Sequence, residues 1–68
     1  MFSLDELIAE RDSTLEKARQ ITAYVNSDEF YAKDITEAER YHVKKQEKAL
    51  LEYHANIINQ IELKQFPM

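Results

Sequence analysis

Residues 43–63 read VKKQEKALLEYHANIINQIEL, and the spacing of their apolar positions decides the fold. Val43, Leu50, Leu51, Tyr53, His54, Ile57, Ile58 and Ile61 recur at helical intervals. Turned at ~100° per residue, they cover an arc of roughly 160° on one side of a helix. A single neighbouring helix needs a narrower seam than that. The surplus apolar surface therefore points to a further helix, from another copy of the chain or from a partner protein.

Just upstream, Thr36-Glu37-Ala38-Glu39 has the spacing of a capping box and opens this helix, whose pattern runs from about residue 37 to 64 before Pro67 forbids continuation. Ser3 and Glu6 repeat the device near the start of the chain, with Phe2 and Leu7 placed for a hydrophobic staple. They predict a first helix over about 4–25 with an apolar face of Leu4, Leu7, Ile8, Leu15, Ala18, Ile21 and Val25. Asn26 and Ser27 end it, and in a chain without glycine Asn26 is the natural candidate for a left-handed C-terminal position. Residues 26–36 form the connection, where Phe30 and Tyr31 are expected to fold back over the hairpin as a plug, in a single helical turn. The expected fold is all-α: residues 1–68 form one antiparallel two-helix hairpin that assembles into a homo-oligomeric helical bundle.

Size supports assembly. A 68-residue chain buries only about 60% of its unfolded surface and needs a staple. There is no cysteine, and His42 and His54 stand twelve residues apart instead of one helical turn, so neither a disulfide, a metal site nor a cofactor is expected. Self-association, in a four- or six-chain assembly, is the staple that remains. The net charge of −4 disfavours a DNA duplex as partner. Between residues 40 and 48, however, Arg40, Lys44, Lys45 and Lys48 face Glu47 alone, net +3, leaving −7 elsewhere; this is either a solvated face or an anion-facing patch. The start of the chain lacks a basic, apolar leader and no run approaches ~20 apolar residues, so the expectation is a cytoplasmic protein without a membrane partner.

A hairpin that turns near residues 32 and 33 levels Leu4 with Ile61, Leu7 with Ile58, Leu15 with Leu50 and Thr22 with Val43. The odd level places Arg11, central in the first stripe, opposite His54, with Tyr53 beside it. A guanidinium in an apolar seam must be paired, hydrated or bound to an anion, because leaving it bare costs several kcal/mol. Two readings stand side by side. Arg11 snorkels, or pairs with a carboxylate such as Glu10, Glu47 or Glu52, and the polar layer sets register. Alternatively Arg11 and His54 hold a phosphate while tyrosine rings stack on a base. A second polar layer, Ala18 and Thr22 opposite Gln46 and Glu47, thins the packing and suits a register device, a water-filled gap or a pocket wall.

Tyr41 beside Arg40, Lys44 and Lys45 is the pattern of rings interleaved with cations that suits nucleotides, or of amphipathic tyrosines on an ordinary helix surface. Without glycine there is no phosphate-cradling loop. Ser3, Ser13 and Ser27 are explained by caps or helix-surface positions, and Glu37 and Glu39 by the dipole of a helix start. No catalytic set emerges, and the chain is not expected to be an enzyme.

The succession Leu15, Ile21, Tyr24-Val25, Ser27 and Phe30, then Gln46, Leu50, Tyr53, Ile57 and Ile61, resembles a family of short helical-hairpin proteins of tailed phages and prophages. That family carries a basic residue just before the position of Ile61, where this chain has Gln60. More loosely, the chain resembles the small oligomeric phage sponges that sequester cyclic oligonucleotide immune signals without hydrolysing them. This second resemblance implies a homo-oligomer in the host cytoplasm that binds a cyclic dinucleotide between subunits. The layers then assign Arg11 and His54 to phosphate, Tyr53 and Tyr24 to stacking, and Arg40 and Lys44 to steering the anion, with affinity falling as salt rises and as pH rises through the His54 titration. Leu50, Leu51, Ile57, Ile58 and Ile61 are expected at the subunit interface. The alternative is a helical interaction protein that docks on a host or phage protein through its apolar seam, with Leu51 and Ile58 carrying the energy.

Overall fold

A computed structural model describes residues 2–66 as two long helices and one short turn of helix. Helix α1 spans Leu4–Val25 and helix α2 spans Glu37–Gln65, joined through a 3-10 turn at Asp28–Tyr31. The result is an all-α antiparallel hairpin, a rod of 51 × 16 × 16 Å. Pro67 lies outside the described residues.

Both helices start where local chemistry places them. The Ser3 hydroxyl accepts from the Glu6 amide at 3.2 Å while the Ser3 amide donates to the Glu6 carboxylate at 3.3 Å, a complete capping box. At Thr36 only half of the device forms, with the Glu39 amide donating to the hydroxyl at 3.1 Å. The end of α1 departs from expectation. Asn26 has φ −93° and ψ 5°, not the left-handed conformation, because the chain tightens directly into the next turn. The Asn26 amide donates to the Thr22 carbonyl, the Ser27 amide to the Tyr24 carbonyl, and the Ser27 hydroxyl to that same carbonyl at 2.6 Å. The last carbonyls are thus satisfied without a positive φ.

The rod is packed at its two ends by different means. Where the chain ends lie, Leu7, Ile57 and Ile61 form a buried cluster with Leu4 and Ile8 against it. Leu4 and Ile61 share this cluster as expected, whereas Leu7 is joined by Ile57 in place of Ile58, which is half-buried outside it. At the loop end, Phe30 is fully buried as the expected plug. The Tyr24 ring meets it edge-on at 5.6 Å and the Tyr31 ring at 5.1 Å, although Tyr31 itself stays exposed.

Between the ends the seam is thin and partly polar. Ala18 and Thr14 are buried at 2% exposure each. The Thr22 hydroxyl donates to the Glu47 carboxylate at 2.7 Å, tying α1 to α2. Glu47 lies one turn nearer the chain ends than Val43, the residue expected level with Thr22. Side chains lean toward their helix N-terminus, which carries the Glu47 carboxylate back to that level. Gln46, expected in the same layer, is exposed.

Candidate functional site

The residues expected to form one pocket separate into two places. Tyr24, Arg40 and Lys44 belong to the loop end. The Arg40 guanidinium donates through Nη1 to the Phe30 carbonyl at 3.3 Å, and Lys44 Nζ sits 5.9 Å from the centre of the Phe30 ring. Both cations thus stand against the plug, Arg40 through a hydrogen bond and Lys44 beside the ring with its surface still exposed. Tyr53 and His54 lie nine to fourteen residues further along α2, roughly 14–21 Å away at ~1.5 Å per residue. A single chain therefore does not bring its expected phosphate-steering cations to its expected stacking rings.

Arg11 is also corrected. It occupies a seam position flanked by buried Leu7, Thr14 and Ala18, yet its guanidinium leaves the seam and pairs through Nε with Asp12 at 3.0 Å. The flexible stem permits this, and the head gains water at little cost. Its partner is the adjacent Asp12, not Glu10, Glu47, Glu52 or the His54 ring. The polar residue that does enter the seam is Thr14, which is absent from the expected apolar face of α1. Its position seven residues after Leu7 and four before Ala18 is the signal that marks it. Its hydroxyl donates to the Glu10 carboxylate at 3.4 Å, and the Tyr53 hydroxyl donates to the same oxygen at 3.4 Å.

This Glu10 layer sets the local electrostatics. Desolvation, then the negative charge of Glu10, then the hydrogen bond to it, push the Tyr53 hydroxyl above its ordinary value of 10.0. The Tyr53 ring keeps 45% of its surface exposed. His54 is half-buried, and its Nε2 is buried without a hydrogen-bond partner. A buried polar atom left so costs about 1–3 kcal/mol, and it is the one such side-chain atom among the described residues. Among those residues no group of three or more acidic, cysteine or histidine side chains could hold a metal ion.

The expected interface residues divide as well. Ile57 and Ile61 are 1% and 6% exposed within a single chain, so the hairpin's own core consumes them. Leu50 and Ile58 are half-buried, while Leu51 keeps 48% of its surface. Leu51 forms one wall of a groove of about 290 Å³ whose other wall is Leu15, Ala18, Arg19, Thr22 and Ala23 of α1. The α1 residues recur at three- and four-residue steps, and small Ala18 and Ala23 let a neighbouring backbone approach. A second surface depression of about 500 Å³ is made by Asn59, Glu62, Leu63 and Phe66 near the end of α2. At ~100° per residue Leu51 and Tyr53 stand roughly 160° apart, one on each shoulder of the seam. The hairpin thus has two unlike faces, an apolar one at Leu51 and a polar-aromatic one at Tyr53.

No helix of the described residues is long and apolar enough to cross a membrane. No protein-family model matches the chain, and no curated protein or solved structure matches it either. The likeness to phage hairpins and sponges therefore rests on residue spacing alone.

Proposed function

We propose that this chain is a non-catalytic helical interaction module that works through the groove between Leu15 and Leu51. The observation that supports this is the division of the wide α2 stripe. Ile57 and Ile61 are spent inside the hairpin, whereas Leu51, on the shoulder, remains half exposed beside small α1 residues. An amphipathic helix laid in such a trough buries its apolar face where the hairpin has surplus apolar surface. A photo-crosslinking side chain in place of Leu51 tests the reading in cells that produce the protein. Crosslinks from position 51 and none from position 45, on the outer face of α2, are expected; silence at both positions overturns it.

A second reading, sequestration of a cyclic dinucleotide by a homo-oligomer, draws on the exposed Tyr53 ring and, at the next residue, the unpartnered Nε2 of His54. Arg40 and Lys44 stand at the loop end, so in this reading the phosphate contacts come from another copy. Calorimetric titration with a panel of cyclic dinucleotides is its test. Binding lost in Tyr53→Ala and weakened by salt supports it, and absence of binding across the panel removes it.

A further inference from the structure

We propose that the groove between Leu15 and Leu51 is occupied by the same groove of a second copy of the chain, laid antiparallel about a two-fold axis. The inference rests on the groove reading above and names its partner. What identifies the partner is the distribution of charge along the rod. The chain-end half, residues 2–16 and 50–66, holds seven carboxylates against Arg11 and Lys64, net −5. The waist, residues 17–25 and 40–49, holds six cations against Glu47 alone, net +5. The tip, residues 26–39, holds five carboxylates against Lys33, net −4.

The groove straddles the border between the acidic half and the basic waist, since Leu15 lies on one side of it and Ala18 and Arg19 on the other. Antiparallel pairing about this border lays the waist of each copy on the acidic half of the other. The contact forms twice, as an isologous interface requires. Parallel pairing opposes every band with its like, whereas antiparallel pairing does so only where the acidic tip reaches the partner's chain ends. The face of the groove carries the matching residues. Asp12 is two turns from Arg19 on one column of α1, and Lys44 is two turns from Leu51 on one column of α2. Asp12 lies ~9 Å from the level of Ala18, and Lys44 ~10 Å from that of Leu51 in the opposite direction. A dyad in the contact plane, perpendicular to the rods, lays α1 on α1 and α2 on α2, and brings Lys44 of each copy to the level of Asp12 of the other on the diagonally opposite helix, both exposed. Glu16 and Lys48, nearer the axis, repeat the match.

Area permits it. A stable interface takes about 800 Å² from each partner, about one-seventh of the 5435 Å² this hairpin exposes, or less than one long side of the rod.

Sedimentation velocity of the full chain, at low (~50 mM) and high (~500 mM) salt, tests the proposal with charge-reversed variants. The wild type is expected to dimerise and to do so about tenfold more weakly at high salt. Lys44→Glu with Lys48→Glu, and separately Asp12→Lys with Glu16→Lys, should each self-associate at least about tenfold more weakly. Their equimolar mixture should recover the dimer, because the unaltered basic waist of one variant again lies on the unaltered acidic half of the other. Leu51→Glu should be monomeric with unchanged helicity. Two results overturn the proposal: a wild type that stays monomeric, or a dimer whose two charge-reversed variants fail to complement each other. A monomeric wild type that still crosslinks through position 51 overturns this pairing and leaves the groove reading standing. A monomer with a silent position 51 removes both.

Discussion

The two ends of the rod are closed by opposite strategies. At the chain ends, Leu7, Ile57 and Ile61 interlock with Leu4 and Ile8, so stability there is aliphatic area contributed by both helices. At the loop end a single ring, Phe30, is enclosed by Tyr24 and Tyr31 and secured by Arg40 on its carbonyl. The first arrangement spreads its free energy over several side chains, whereas the second concentrates it on one. A loop of eleven residues between helices has few apolar groups to offer, and one large aromatic covers the helix ends most economically.

Truncation at the two ends should separate them. A domain of this size is stable by roughly 3–10 kcal/mol, so either substitution removes a large share. Phe30→Ala should cost about 3–5 kcal/mol and Leu7→Ala about 2–5 kcal/mol. Hydrogen exchange distinguishes them: Phe30→Ala should first expose amides of residues 22–40, and Leu7→Ala those of residues 4–12 and 55–64. Identical patterns would show that the rod opens as one unit and would dissolve the contrast.

The waist couples the ends through the Thr22–Glu47 hydrogen bond, charge-assisted and partly buried. Thr22→Val should destabilise by about 1–3 kcal/mol in denaturant melts, because it leaves the Glu47 carboxylate half-buried without its donor. Ser3→Ala, which dissolves the capping box, should cost about 1 kcal/mol and fray only the first turn of α1.

The smallest effect belongs to Tyr53. Its raised titration means that the fold favours the neutral phenol. The associated stability is present below pH 10 and is lost as pH rises through the elevated value. Ultraviolet titration should reveal one tyrosine ionising above the ordinary range. Tyr53→Phe should remove that component and Glu10→Gln should lower it, with little change in stability near neutral pH.

The helix starts at Ser3 and Thr36, the plug at Phe30 and the hairpin with Leu4 near Ile61 were legible in the chain, whereas Leu7, matched by level to Ile58, packs in the cluster of Ile57 and Ile61. Local spacing carries the donors and acceptors of a cap and the period of a helix face, so no knowledge of the neighbour is required. At Asn26 the missing glycine suggests a left-handed substitute, whereas the Ser27 hydroxyl and the following 3-10 turn close the helix end instead.

The candidate site was less legible, and Arg11 shows why. Periodicity puts a residue on a face but does not direct its χ angles, and a long side chain on the seam turns outward when a carboxylate and water are within reach. Thr14 entered the seam in its place, and the loop end claimed Arg40 and Lys44. Two capped helices, their antiparallel pairing, the surplus apolar arc and the banding of charge all follow from local spacing and composition. That Ile57 and Ile61 serve the hairpin while Leu51 is left over, and that His54 Nε2 is enclosed without a partner, emerges only when the helices pack, because burial depends on what the opposite helix presents at each level.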